Sequence, residues 1–221
     1  MNEFREIGLE REFFTLRRGI ESPSERIVEP ADYEFPRDIF GFLTEITSKP
    51  WMHLNTVKMT WDMEKSYWEH RADKFGIELV DIPYIDVPRK TAQYFYDKYG
   101  AVNYQDLTQN IYNKHGIDGP EECKSHHLGM FFNGENCRLT SGFHVHFGIR
   151  NEFGIIVPFT KDQIKSIVLH MDESFDKEIS ETERIKGEWE PKQHGFEYRS
   201  LPCNVDVYSV LKEAFKILRS I

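Results

Sequence analysis

Alternating apolar and polar positions mark several segments of the chain as β-strands. The clearest are residues 8–16 (GLEREFFTL), 142–150 (GFHVHFGIR) and 194–201 (HGFEYRSL), which are short and bounded by glycine or proline. Aromatic and β-branched residues suit the pleated surface of a sheet. We therefore predict strands over these three segments, and two further strands over residues 39–47 and 53–60.

A different spacing of apolar residues, three and four apart, predicts helices. The apolar markers of the four predicted helices span residues 61–75, 92–99, 164–175 and 207–218. Thr160 and Gln163 form a capping-box pattern that opens the third helix, and the last follows Asn204 or Asp206. Strands, then helices, then strands again favour a single α+β domain over residues 1–221 with a mostly antiparallel sheet, on which the last helix docks.

Composition and charge indicate which partners and which cellular compartment to expect for this protein. The 221 residues carry a formal net charge of −9, so the surface field opposes binding to nucleic acid. No run approaches the roughly 20 apolar residues of a membrane-spanning helix, and the first residues lack the layout of a signal peptide. The three cysteines are an odd set for a disulfide framework. We expect a cytoplasmic protein with neither nucleic acid nor membrane as a partner.

Candidate chemistry lies in polar pairs two residues apart on three predicted strands. Such pairs project from one face of a strand. The pairs are Glu10 with Glu12, His144 with His146, and Glu197 with Arg199. Taken singly, each pair fits the solvated face of an antiparallel sheet. Taken together, three carboxylates with one or two imidazoles match the ligands that Mg²⁺ or Mn²⁺ prefers. The guanidinium of Arg199 can donate two parallel hydrogen bonds to an anion.

Several common site types have no motif in this sequence. The chain lacks a G-x-x-x-x-G-K-[ST] loop, G-x-G-x-x-G, H-E-x-x-H and G-x-S-x-G, so any nucleotide binds by another scheme. Cys123, His126, His127 and Cys137 have a spacing compatible with zinc but lack a C-x-x-C pair. We interpret them as a polar turn, with Cys137 in or near the core.

Four motifs together resemble the carboxylate–amine ligases related to glutamine synthetase and glutamate–cysteine ligase. They are GLEREFF at 8–14, DIFGFLTEIT at 38–47, SGFHVHFG at 141–148 and GFEYRSLP at 195–202. Their order is most similar to the phage-type amidoligases called COOH-NH2 ligase type 2. The resemblance covers nearly the whole chain and implies a twisted antiparallel sheet of the glutamine synthetase type with flanking helices.

The resemblance also implies a set of metal ligands. In that family, glutamates on the first two strands, the first histidine of H-x-H and the glutamate of E-x-R hold two divalent cations. The matching residues are Glu10, Glu12, Glu45, His144 and Glu197. The candidates for a further metal-binding carboxylate are Asp38, Glu121 and Glu122.

The remaining positions of the motifs imply contacts with ATP and the substrates. His146 and Arg199 match positions that contact nucleotide phosphates. Arg184, Lys186 and Lys192 lie in the basic segment before the last motif, where we expect contacts with phosphate or the carboxylate substrate. Arg199 and Lys192 are the predicted catalytic cations.

The predicted function is therefore an ATP-dependent ligase that joins a small-molecule or peptide carboxylate to an amine, with Mg²⁺ or Mn²⁺. Two alternatives stay open. One is a single-metal oxygenase or isomerase of the cupin type that uses His144, His146 and Glu152 on a small β-barrel. The other is a non-catalytic binding module.

Overall fold

The computed structural model describes residues 3–37, 41–99, 109–110, 130–182 and 184–221. Sixteen strands and helices and one 3₁₀ turn lie within these ranges. None of the helices in the described ranges combines the length and the apolar character that crossing a bilayer requires.

The strands and helices follow one another along the chain. The strands are β1 (Glu3–Arg17), β2 (Leu43–Thr47), β3 (Ile77–Val80), β4 (Tyr84–Pro88), β5 (Gln109–Asn110), β6 (Met130–Asn133), β7 (Asn136–Thr140), β8 (Gly142–Asn151), β9 (Glu188–Lys192) and β10 (Gly195–Pro202). The helices are α1 (Pro23–Arg26), α2 (Leu54–Lys74), α3 (Arg89–Tyr99), α4 (Lys161–Ser174), α5 (Asp176–Ser180) and α6 (Val207–Ser220), and the 3₁₀ turn is Pro30–Tyr33.

Ten described strands form two antiparallel sheets. The larger has the order β2-β1-β8-β10-β9-β5, and β3 also pairs with β1; the smaller has the order β4-β7-β6. Every described pairing within them is antiparallel. The prediction of an α+β fold with a mostly antiparallel sheet is confirmed.

The long strand β1 places side chains on both faces of the larger sheet. Ile7, Leu9 and Phe13 are buried in the main core, which α2, α4, α5 and α6 cover. Glu10 and Glu12 alternate with these residues and therefore project from the opposite face. The helices thus occupy one side of the sheet, and the polar pairs the other.

A second core covers one end of the polar side. Phe14 and Leu16 at the end of β1 pack there with Val87 of β4, Leu139 of β7 and Phe95 of α3. Because these β1 residues share the face of Glu10 and Glu12, the smaller sheet and α3 border the polar pairs.

Most of the predicted elements are confirmed. β1 and β8 contain the predicted strands 8–16 and 142–150, and β10 is shifted by one residue from the predicted strand 194–201. The capping box of Thr160 and Gln163 opens α4. Asp206 caps α6, whose apolar side packs in the main core beneath the sheet.

One predicted strand was wrong, and another is shorter than expected. Residues 53–60 lie at the start of α2, because Val57 and Trp61, four positions apart, both bury against the sheet. For the predicted strand 39–47, residues 39 and 40 lie outside the described residues, and within 41–47 the strand begins at Leu43. Gly41 has φ +77°, and a Cβ there would overlap the ring of Tyr99.

Candidate metal centre

Strand pairing brings the three polar pairs onto one face of the larger sheet. Glu10 of β1 lies directly across from His144 of β8, and His146 lies directly across from Glu197 of β10. Residues paired in this way project to the same side. The acidic doublet of β1 and the imidazole doublet of β8 therefore face the same space.

Three of these side chains converge on a single point. Nδ1 of His144 is 2.7 Å from Oε1 of Glu10 and 2.8 Å from Oε1 of Glu197. The nearest ligand atoms of the three residues all lie within 4.8 Å of one another. His144 and Glu197 are buried, whereas the side chain of Glu10 is 12% exposed. Two carboxylates and one imidazole at this separation form a candidate divalent-cation site.

The electrostatics of the triad favours ionised carboxylates around a protonated imidazole. Burial raises the pKa of Glu10, but hydrogen bonds to His144 and His146 outweigh it and lower that pKa to about 2. Burial and the charge of Arg199 lower the pKa of His144, yet the carboxylates of Glu197 and Glu10 raise it to about 9. Despite its burial, Glu197 has a pKa well below the usual range, because Arg199 and His144 stabilise its charge. A metal ion entering the triad must therefore displace a proton from His144.

Two cationic side chains contact the triad from the side of Glu197. Nη1 of Arg199 is 2.8 Å from Oε1 of Glu197, and Nζ of Lys192 is 2.6 Å from Oε2 of the same carboxylate. The same two cations also contact Glu190, which lies directly across from Glu197 on β9. Burial lowers the pKa of Lys192, but its interactions with Glu197 and Glu190 together outweigh burial and raise the pKa overall, so the ammonium stays protonated.

Glu190 was missed by the sequence analysis. The signal was the alternation of Glu188, Glu190 and Lys192, but residues 188–192 contain a proline and were not recognised as a strand.

A histidine at the turn between β9 and β10 was also missed. Nε2 of His194 lies 3.1 Å from Nδ1 of His146, whose Nε2 lies 3.1 Å from Oε2 of Glu10. Burial, and then the nearby His146 and Lys192, lower the pKa of His194. These side chains complete a surface that we call the polar cup. Its residues are Glu10, His144, His146, Glu190, Lys192, His194, Glu197 and Arg199.

Glu12 and Arg184 lie at the edge of the polar cup near the start of β8. The backbone N–H of Gly142 donates to Oε2 of Glu12, and Nη2 of Arg184 donates to the backbone carbonyl of Arg199. A Cβ on Gly142 would lie 2.7 Å from Nη2 of Arg184 and 2.8 Å from Nε2 of His144. The glycine therefore leaves room for a guanidinium and an imidazole side by side.

Two other predicted site residues lie farther from the triad. Glu45 of β2 is directly across from Glu12, so it shares the face of the polar cup, but it is not part of the three-residue cluster. Lys186 pairs with Asp176 of α5. Ile179 of the same helix belongs to the main core, so the described ion pair of Lys186 is with a helix of the covered side of the sheet.

The remaining candidates divide into those the structure describes and those it does not. Glu152 is exposed in the turn after β8, and Cys137 is buried in the second core, as expected. The candidates outside the described residues are Asp38, Glu121, Glu122, Cys123, His126 and His127.

Comparison of the chain with models of protein families, with curated proteins and with solved structures gave no match.

Proposed function

We propose that this protein is an ATP-dependent carboxylate–amine ligase. The observation that carries the proposal is that one carboxylate, Glu197, belongs to the triad with Glu10 and His144 and also contacts Arg199 and Lys192. A metal-ligand cluster with two fixed cations beside it suits a metal-bound polyphosphate.

The donor set fits the predicted metal ions. Oxygen atoms of Glu10 and Glu197 with one nitrogen of His144 suit Mn²⁺. The same site suits Mg²⁺ if that ion binds fewer protein ligands and keeps more water molecules. Glu12 and Glu45 face each other on β1 and β2 and are the proposed ligands of a second cation. Divalent cations held there would neutralise the charge of the phosphates and align them for in-line transfer.

The proposed reaction has two steps. The substrate carboxylate attacks the γ-phosphorus of ATP, which forms an acylphosphate and breaks the bond to ADP. The amine nitrogen then attacks the acyl carbon and displaces inorganic phosphate, so that an ammonium and a carboxylate yield one amide and one released proton. Arg199 and Lys192 would stabilise the charge on the transferring phosphoryl group, and His146 would contact the phosphates.

The sheet order places the four motifs side by side. The four motifs lie on or just before β2, β1, β8 and β10, which are consecutive neighbours in the larger sheet. Segments spread over nearly the whole chain thus contribute to one surface, with helices on the opposite side. This arrangement suits the glutamine synthetase type of catalytic sheet that we propose for the chain.

The cupin-type alternative has less support. It requires His144, His146 and Glu152 around one metal ion on a barrel, but Glu152 is exposed and His144 directs Nδ1 toward Glu10 and Glu197. The described strands form an open sheet and a smaller second sheet. No observation favours a purely solvated role for the pairs either, since Glu197 and His144 are buried.

The test measures nucleotide binding and then turnover. ATP with Mg²⁺ or Mn²⁺ is expected to raise the Tm, ATP with a chelator is not, and a screen of carboxylates against amines is expected to release ADP. Lys192→Met should lose the nucleotide-dependent rise in Tm, whereas the matched variant Lys186→Met should keep it. A wild-type protein without ATP affinity at high Mg²⁺ and without ADP release on any substrate pair contradicts the proposal.

A further inference from the structure

Glu190 belongs to the polar cup but has no role in the reaction as proposed. It is one of four side chains that form a closed ring of alternating charge. Arg199 Nη1 lies 2.8 Å from Glu197 and 2.9 Å from Oε2 of Glu190. Lys192 Nζ lies 2.6 Å from Glu197 and 3.2 Å from Oε1 of Glu190. Each cation therefore contacts both carboxylates, and each carboxylate contacts both cations.

The two carboxylates of the ring differ in their other neighbours. Glu197 also contacts His144 and belongs to the metal-ligand cluster, whereas Glu190 does not. A divalent cation bound to Glu197 would neutralise the charge of that carboxylate and repel the positive charges of Arg199 and Lys192. Glu190 then becomes the main anionic partner of both side chains.

The position of Glu190 suits it to hold these cations. It lies on β9 directly across from Glu197, and its side chain is only 13% exposed. Hydrogen bonds between charged groups that are largely shielded from water are stronger than exposed ones. Two cations that bracket the oxygens of one carboxylate are also spaced to bracket the oxygens of one phosphate group.

We propose that Glu190 is a positioning residue that holds Arg199 and Lys192 in place for a phosphate-type oxyanion once a divalent cation has engaged Glu197. The inference rests on one part of the proposed function, the joint binding of a metal ion and a phosphate in the polar cup. It does not require that the phosphate belong to ATP.

The experiment separates metal binding from anion binding. Isothermal titration calorimetry measures the affinity for Mn²⁺ alone, and then for inorganic pyrophosphate with Mn²⁺ in excess. Glu190→Gln is expected to keep the Mn²⁺ affinity within about threefold and to weaken pyrophosphate binding by about tenfold. Glu190→Asp keeps the charge, so we expect it to recover part of the pyrophosphate affinity. The matched control Glu213→Gln, on α6, should change neither affinity.

Three results would overturn the positioning role. An equal loss of affinity for Mn²⁺ alone would make Glu190 a metal ligand. Unchanged or tighter pyrophosphate binding in Glu190→Gln would mean that Glu190 merely neutralises the two cations. A metal-loaded wild type that binds no pyrophosphate would leave nothing for Glu190 to position.

Two further outcomes keep the tests distinct. If Glu190→Gln does not fold by circular dichroism, Glu190→Asp decides alone: weaker pyrophosphate binding at unchanged Mn²⁺ affinity supports the role, and unchanged binding of both overturns it. If pyrophosphate behaves as expected but ATP neither binds nor releases ADP, the ligase proposal fails while the positioning role of Glu190 stands.

Discussion

Nδ1 of His144 lies 2.7 Å from Oε1 of Glu10, although 134 residues separate the two along the chain. They are direct partners on β8 and β1, so main-chain pairing within the sheet fixes their separation. Sites carried by strands hold their geometry more closely than sites on loops. The triad is therefore expected to be preformed before any metal ion binds.

The triad predicts a specific loss of metal affinity in Glu10→Gln. The variant removes a negative ligand and one anionic partner of His144, so its affinity for Mn²⁺ should fall about a hundredfold. Isothermal titration calorimetry gives the affinity. Glu213→Gln serves as the control, because that carboxylate lies on α6 and pairs with His170 of α4 and with Lys216. Equal affinities in the two variants would remove Glu10 from the site.

The pKa shifts predict how the stability of the metal-free protein varies with pH. The pKa of Glu10 falls from 4.5 to about 2, so its interactions stabilise the fold above pH 4.5 and are lost as the pH falls toward 2. The pKa of His144 rises from 6.5 to about 9, so its contribution is complete below pH 6.5 and is lost as the pH rises through 9. These two residues together favour greatest stability between pH 4.5 and 6.5.

Thermal melts with a chelator check this pH dependence. Wild type should exceed Glu10→Gln in Tm by several degrees at pH 6, and the difference should shrink by pH 10, where His144 is neutral. A Tm difference that stays constant from pH 6 to pH 10 would contradict the protonated imidazole.

Gly142 and Gly8 offer a matched pair of substitutions on the same face of the sheet. A Cβ at Gly142 would press on Arg184 and His144 at 2.7 and 2.8 Å, whereas the nearest atoms to a Cβ at Gly8 are at 3.4 to 3.6 Å, an ordinary contact. Gly142→Ala should lower the Mn²⁺ affinity about tenfold, and Gly8→Ala should leave it unchanged. Calorimetry and thermal melts measure both. Equal Mn²⁺ affinities in the two variants would show that the site tolerates a shift of His144.

The buried carboxylate of Glu29 allows stability to be separated from metal binding. Glu29 accepts hydrogen bonds from Tyr94 and Tyr99, and Lys98 lies 2.8 and 2.7 Å from its two oxygens. These contacts attach α3 to the segment before the 3₁₀ turn. Glu29→Gln should lower the Tm by about 5 °C and leave the Mn²⁺ affinity unchanged. A loss of metal affinity at unchanged Tm would link this cluster to the polar cup.

The sequence alone was sufficient to predict the three strands that carry the triad. Alternation in β1, β8 and β10 is strong, because one side of each strand is covered by the main core and the other carries polar pairs. The same pattern cannot give the order of strands in a sheet, since pairing depends on contacts between distant segments. The structure shows that β8 lies between β1 and β10. This order brings Glu10 of β1 close to Glu197 of β10.

Short elements account for most of what was missed. β9 has five residues and includes a proline, so its short alternation of polar residues was not recognised as a strand. Its register with β10 determines that Lys192 reaches Glu197, whereas Lys186, six residues earlier in the same basic segment, pairs with Asp176. The sequence around the two lysines does not indicate which one contacts Glu197. The pairing of β9 with β10 determines it.

In its middle, β1 directs Ile7, Leu9 and Phe13 into the helix-covered core and the carboxylates of Glu10 and Glu12 to the opposite face. A deletion or insertion of a single residue just before Glu10 would exchange the two sets, because each later side chain would turn to the opposite side. Carboxylates would then enter the apolar interior at the same time as the cup lost its ligands. Length changes in this strand should therefore abolish folding and metal binding together.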